Sequence, residues 1–364
     1  MDFTTTEAQR DLAGLTRDIV AKHSTNDVQR RLDVHPDAID TTLWQALAQA
    51  GVLSAALPQN IGGDGYGILE SSSIATELGR GLAAVPFVVH SAAAAAIADF
   101  GSPEQCTEWA TPAAAGTSML SLAFDEEHGD DPLDPLLRAE PRGDRWSLTG
   151  AKMCVDSAPA ADGFLITTTD GVFLVRRDDP GVGVVSQSGV DIRSMGIVEV
   201  NSVALDTDRR LSHPDLIRRL LTHATLGTCA YQVGVLEESL RVTAEYARER
   251  VQFGKPIGSF QAVAQRLADA YIDVKGARLT MWKAAWALSA GHPADDEVAI
   301  AKFWAAEAGH RVAHTLVHVH GGVGLDRDHP VHRYFLAAKR SEFAYGGATA
   351  QLRRLGRSLA TVPA

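Results

Sequence analysis

From about residue 215 to the end of the chain, apolar residues recur at helical spacing, and this long periodicity limits the fold more than any other feature. Leu226, Ala230, Val233, Leu240 and Ala247 mark one face. Val263, Leu267, Ala270, Val274, Ala277, Met281 and Leu288 mark a second, and Val298, Ala305, Ala308, Val312 and Val319 a third. Such runs are too long for strands and keep the spacing of half-buried helices. Gly291 stands as a stop, and Asp295 lies near the following start. Another helix follows Pro330. The spacing therefore predicts a four-helix bundle.

Ahead of this region the pattern changes twice. Trp146–Gly150, Gly163–Ile166, Val172–Val175 and Val182–Val185 are short β-rich runs separated by Gly, Asp and Pro. Val198–Leu205 alternates in part, as a half-buried strand does. The chain before about residue 115 reads as helices. Leu43, Trp44, Leu47 and Ala48 keep helical spacing before a stop at Gly51, and a helix runs from Ile68 to about Gly81. Between them, Pro58–Gly67 is too glycine-rich for a regular element. The expected class is α+β, mainly α: an N-terminal helical domain (1–115), a middle β-barrel-like domain (116–208) and a C-terminal four-helix bundle (209–364).

Several classes are disfavoured by composition. At 364 residues, 45% hydrophobic and 22% charged, the chain suits two or three packed domains. A net charge of −11 argues against nucleic acid. Cys106, Cys154 and Cys229 form neither a metal spacing nor a disulfide framework. The alanine-rich stretch Ala83–Phe100 contains Pro86, His90, Ser91 and Asp99, which suits a buried helix and not a membrane span. The start, Met1-Asp2-Phe3-Thr4, lacks a signal-peptide pattern, so a cytoplasmic location is expected.

Two motifs point to a ligand. Arg248–Gln261 reads R-E-R-V-Q-F-G-K-P-I-G-S-F-Q and crosses from one helical pattern to the next through Gly254 and Pro256. Three cations beside a helix start suit a phosphate site, and they equally suit a solvated basic turn. The second motif is His318-Val319-His320-Gly321-Gly322-Val323-Gly324. Together with Trp146-x-Leu148-Thr149-Gly150-x-Lys152-Met153, Pro330-Val331-His332-Arg333-Tyr334 and the Pro58–Gly67 run, these motifs resemble the acyl-CoA dehydrogenase family over nearly the whole chain. The match looks closest to the smaller, divergent subunits of actinobacterial dehydrogenases that shorten steroid side chains as CoA thioesters.

The resemblance implies FAD bound between subunits. One chain holds the isoalloxazine on its β domain, and its neighbour reaches over with R-x-x-F-G, a glutamine and a Q-x-x-G-G loop. Here the reaching-over set is largely present. Arg250 pairs with pyrophosphate in this reading, Phe253 packs on the adenosine portion and Gln261 bonds phosphate or ribose. Gly321 and Gly322 admit close backbone approach, and His318 replaces the usual glutamine. His318 and His320 also fit capped or core histidines.

The in-chain set is eroded. The family's T-E-P-x-x-G-S-D loop falls on Phe124–Asp131, where acids replace the hydroxyl donors. The aromatic strand against the flavin falls on Cys154-Val155-Asp156-Ser157. The family's R-D pair after the Pro330 motif is lost at Leu336-Ala337. Desaturation also needs a carboxylate to take the α-proton. Its two family positions fall on Gly346 and Ala224. Tyr345 is a poor base at pH 7 because a phenol titrates near 10, and Glu342 reads as a solvated helix-end charge.

No catalytic residue is therefore expected in this chain. The resemblance implies an α2β2 heterotetramer in which a related subunit carries the catalytic Glu and binds most of the acyl-CoA. Two other readings stay open: a self-sufficient flavin dehydrogenase with an unusual base, and a flavin-free scaffold or acyl-CoA-binding protein.

Overall fold

The computed structural model describes residues 4–35 and 37–361. Met1–Phe3, which carry most of the chain-start reading, lie outside the described residues. The chain opens with helices α1 (Glu7–His23), α2 (Asn26–Asp33), α3 (Thr41–Gln49), α4 (Ile68–Arg80) and α5 (Phe87–Phe100). The short α6 (Pro103–Gln105) and α7 (Thr111–Ala114) follow. Then come β1 (Leu120–Ala123), β2 (Arg138–Arg142), β3 (Arg145–Asp156), β4 (Gly163–Thr168), β5 (Gly171–Arg176), β6 (Val182–Ser186), β7 (Met195–Asp206) and β8 (Arg210–Leu211). The remainder is α8 (Leu216–Glu249), a hairpin of β9 (Val251–Gln252) and β10 (Lys255–Pro256), α9 (Gln261–Ser289), α10 (Asp295–His320), α11 (Val331–Phe343) and α12 (Ala348–Thr361).

The helix–strand–helix order matches the sequence reading, with one correction. Two helices, not one, follow Pro330. Tyr345 (φ +56°) and Gly346 (φ +90°) break the chain between α11 and α12, because consecutive left-handed residues cannot continue a right-handed helix. Strands β1 and β2 escaped the pattern reading for different reasons. β1 is four residues long and buried throughout, so it shows no alternation. β2 is an edge strand of polar sequence that includes Pro141, which an edge tolerates.

The chain forms two compact units: Met1–Ala21 with Ile68–Ala83 and Thr225–Ala364, and Lys22–Gly67 with Ala84–Ala224. In the first, α4 crosses α8 at near-contact of main chains. A Cβ on Gly79 would lie 1.9 Å from the Tyr231 carbonyl oxygen, and one on Gly234 would lie 1.8 Å from that of Thr76. Glycine is the one residue that permits this crossing. Buried polar side chains then fix the register of the long helices. Gln232 Nε2 donates to Ala338 O at 3.1 Å. Arg311 grips Asp273 through two bonds of 2.7 Å, linking α10 to α9.

In the second unit the strands pair as two four-stranded sheets, ordered β1-β4-β5-β8 and β2-β3-β7-β6. Leu148, Val198 and Val203 of one sheet share a core with Phe164, Ile166 and Phe173 of the other. The barrel-like expectation thus takes the form of two open sheets around one core. Lys152 of β3 is fully buried beside that core. Its Nζ donates to Glu126 Oε1 at 2.7 Å, Thr167 Oγ1 at 3.0 Å and Phe124 O at 3.1 Å. Glu126 also accepts the N–H groups of Leu136 (2.6 Å) and Leu137 (2.8 Å). Burial opposes ionisation of Glu126, but these bonds outweigh it and hold the carboxyl below its usual range.

Glu126→Ala leaves the Lys152 ammonium buried without its counter-charge, and a loss of about 3–5 kcal/mol is expected in denaturant unfolding. The sign with pH follows from the lowered carboxyl value. The pair stabilises fully above the unfolded glutamate value of about 4.3, and its contribution fades as pH falls below that. The gap between wild type and variant should therefore narrow between about pH 5 and pH 3; a gap unchanged over that range contradicts the assignment.

Candidate functional site

The Arg248–Gln261 motif folds as a tight hairpin on the end of α8. The Arg250 N–H donates to Tyr246 O, and the Arg250 carbonyl accepts the Ile257 N–H, each at 2.8 Å. Val251 pairs with Pro256 and Gln252 with Lys255. Phe253 (φ +53°) and Gly254 (φ +78°) make the turn between them, the double left-handed geometry of a type I′ hairpin. A phenylalanine in that conformation is uncommon. Its ring is 92% exposed, so no burial compensates within this chain. Phe260 lies edge-on to it at 6.1 Å, with Lys255 Nζ 4.7 Å from the Phe260 ring centre. Gln261 opens α9, whose N-terminus receives no side-chain cap from Phe260.

Six residues are expected at the site, and all six lie in the first unit. Arg250, Phe253 and Gln261 sit on the hairpin and the start of α9; His318, Gly321 and Gly322 sit at the end of α10. Among the described residues, no carboxylate pairs with the exposed Arg250 guanidinium. Gly321 (φ +60°, ψ −135°) adopts a conformation reserved for glycine, and its N–H closes α10 by donating to Val317 O and His318 O. A Cβ on Gly322 would meet nothing within 4 Å, so this turn presents open main chain. The two histidines of the motif divide: His318 is exposed, whereas His320 is 4% exposed and donates from Nδ1 to Leu316 O at 2.8 Å. His320 is therefore a core histidine.

Sequence reasoning missed the residue that joins the two pieces. The ring of Tyr246, one turn before Arg250, stacks on His320 with centroids 4.4 Å apart and planes 25° apart. The sequence offered little signal: His320 lies inside the second motif, but Tyr246 stands four residues before Arg250 with nothing to mark it.

The β-rich unit presents a different picture. Glu126, read in the sequence as one acid of an eroded flavin loop, is turned inward onto Lys152 and two main-chain donors. Burial raises the carboxyl of neighbouring Asp125 above its usual range, although Lys152 opposes this. Glu127 and Asp130 remain exposed. Cys154 occupies a β-bulge with φ +52°, and its N–H already donates to Gln187 Oε1 at 2.8 Å. The Glu126 carboxylate and the Cys154 N–H are thus both bonded within the chain.

Neither expected base position carries an acid. Ala224 is fully buried in α8. Gly346 is held by Gln351, whose Nε2 donates to Tyr345 O at 2.9 Å and Gly346 O at 3.1 Å. A Cβ there would come within 3.0 Å of Ala350 Cβ and 3.1 Å of that same Nε2. Glu342 corrects the expectation of a solvated charge: only 13% of its side chain is exposed, and it pairs with Lys339 at 2.6 Å and His310 at 3.3 Å. Its carbonyl accepts from the fully buried Lys302 at 2.9 Å, a lysine that burial pulls down to about 8.

Comparison with known proteins agrees with this fold. The family model for the acyl-CoA dehydrogenase N-terminal domain matches residues 6–117, and that for the C-terminal domain matches residues 215–360. Acyl-CoA dehydrogenase FadE27 of Mycobacterium tuberculosis is 51% identical over 377 residues, covering 100% of both chains. A chain of the ChsE4-ChsE5 complex from Mycobacterium tuberculosis superimposes with a TM-score of 0.96 at 52% identity, again covering 100% of both. A chain of a variant of the Tcur3481-Tcur3483 steroid ACAD gives a TM-score of 0.92 at 38% identity, covering 97% of this chain and 98% of that one. With helical, sheet and helical regions in the same order and relatives matching from end to end, this chain belongs to the acyl-CoA dehydrogenase family.

Proposed function

We propose that this chain is the non-catalytic subunit of a heteromeric FAD-dependent acyl-CoA dehydrogenase acting on a steroid side-chain CoA thioester. It contributes the outer half of a flavin site to a related subunit, which carries the catalytic glutamate and binds most of the acyl-CoA. An α2β2 assembly in a reducing cytoplasm fits this reading, as do three free cysteines and a division into domains 1–115, 116–208 and 209–364. The substrate class and the heteromer are suggested by the ChsE4-ChsE5 and steroid ACAD relatives.

The observation that carries the reading is an asymmetry between two surfaces. The hairpin side fits an anionic dinucleotide: a cation without a carboxylate partner among the described residues, an exposed aromatic ring, an uncapped helix start and open glycine main chain. The β side does not fit an isoalloxazine, because its loop acid and its bulge N–H are bonded internally and no indole is present at Cys154. Bound FAD supplies the hydride acceptor in this chemistry. Arg250 neutralises pyrophosphate, Phe253 covers the adenosine portion, Gln261 and His318 bond polar edges, and Gly321 and Gly322 admit the phosphates. Glu342 is paired with Lys339 at 2.6 Å and moves no proton of the substrate.

Purified alone, the chain is expected to hold little FAD; with its partner, the complex should be yellow and active. In that complex Arg250→Ala should weaken FAD binding about tenfold or more, the loss of one charged hydrogen bond of roughly 1.5–3 kcal/mol. Unchanged FAD affinity would reduce the motif to a basic turn. Glu342→Gln should leave turnover within a few-fold of wild type, since a general base contributes about 10²–10⁴-fold. Abolished turnover with FAD still bound would move the assignment to a self-sufficient enzyme.

A further inference from the structure

We infer that Tyr246 and His320 are positioning residues whose stack locks the Arg250 hairpin and the Gly321–Gly322 turn into one rigid receptor. The inference rests on the flavin reading above for its purpose, but its geometry stands apart from it. Each ring is attached directly to the motif it steers. Tyr246 accepts the Arg250 N–H through its own carbonyl, so a shift of its ring moves the root of the hairpin. His320 is the residue before Gly321, and a Cβ on Gly324 would lie 3.3 Å from His320 Cβ, so the turn folds back over it.

The stack is itself held from several sides. Nδ1 of His320 is committed to Leu316 O at 2.8 Å, which fixes the ring plane and places a proton on that nitrogen. The ring of His329 stands 6.1 Å from that of His320, tilted by 48°. On the hairpin side, a Cβ on Gly258 would lie 3.0 Å from Ala247 O, so the return path after β10 is pressed onto the last turn of α8 beside Tyr246. Neither ring belongs to the six residues assigned to the ligand, and His320 is too buried to reach one. Their role is to set the separation between a guanidinium and a glycine main chain that must grip one molecule together.

The test compares Tyr246→Ala, Tyr246→Phe, His320→Leu and His320→Phe by amide hydrogen exchange in the full-length chain and by FAD affinity in the complex with the partner subunit. Tyr246→Ala and His320→Leu should each speed exchange in both segments, 251–257 and 321–325, while the rest of the chain stays protected. Tyr246→Phe keeps both the ring and the His320 bond to Leu316 and should behave as wild type; His320→Phe keeps a ring but loses that bond, and should fall between wild type and His320→Leu. Loss of an aromatic pair should weaken FAD binding roughly two- to tenfold, with rescue in Tyr246→Phe. Faster exchange confined to the mutated segment overturns the inference, as does failure of Tyr246→Phe to behave as wild type. If Tyr246→Ala does not fold, the milder His320→Leu decides by the same criterion. Paired exchange with FAD affinity unchanged in every variant, Arg250→Ala included, would uphold the coupling and sink the flavin reading.

Discussion

Buried donors and acceptors must find partners, and in this chain the place where each finds one decides which surface stays open to a ligand. Lys152 is the clearest case. A fully buried ammonium on β3 needs a counter-charge, and Glu126 supplies it by turning its carboxylate inward from the 124–131 loop. The same loop then binds its own main chain at Leu136 and Leu137. Gln187 does likewise for the bulge at Cys154. On the hairpin side the order is reversed. Among the described residues, the Arg250 guanidinium has no carboxylate partner and the start of α9 has no side-chain cap, and the Phe253 ring stays exposed.

The turn between α11 and α12 obeys the same rule. Lys302 reaches the last turn of α11 and Gln351 reaches the two carbonyls after it. Together they fix a left-handed pair at Tyr345 and Gly346. A side chain at Gly346 would meet both the strain of positive φ and the Gln351 amide. The position is therefore shaped for glycine, beyond merely lacking an acid.

Periodicity made the long helices legible, because α8, α9 and α10 each repeat one apolar face over many turns. A tight turn was legible from Gly254 and Pro256, though not its paired strands, and the stop after α9 from Gly291, which indeed takes a left-handed φ of +70°. Other features depend on partners distant in sequence and left little trace. The α4–α8 crossing needs Gly79 and Gly234 to face each other's neighbours, which one glycine alone cannot announce. Glu126 read as one acid in an acidic run until Lys152 stood beside it. Glu342 read as solvated until α10 brought His310 against it. Motif residues mark the surface proposed for the flavin, and the Tyr246–His320 stack that joins its pieces emerges only in three dimensions.

The most direct test of the central claim is photolabelling of the intact complex with FAD that carries an azide at C8 of its adenine ring, followed by mapping of the labelled peptides on this chain. The account predicts label on residues 250–261 or 318–325 and none on 124–131 or 153–157. Label concentrated on the β-rich segments, or absent from this chain in a complex that holds FAD, would contradict it.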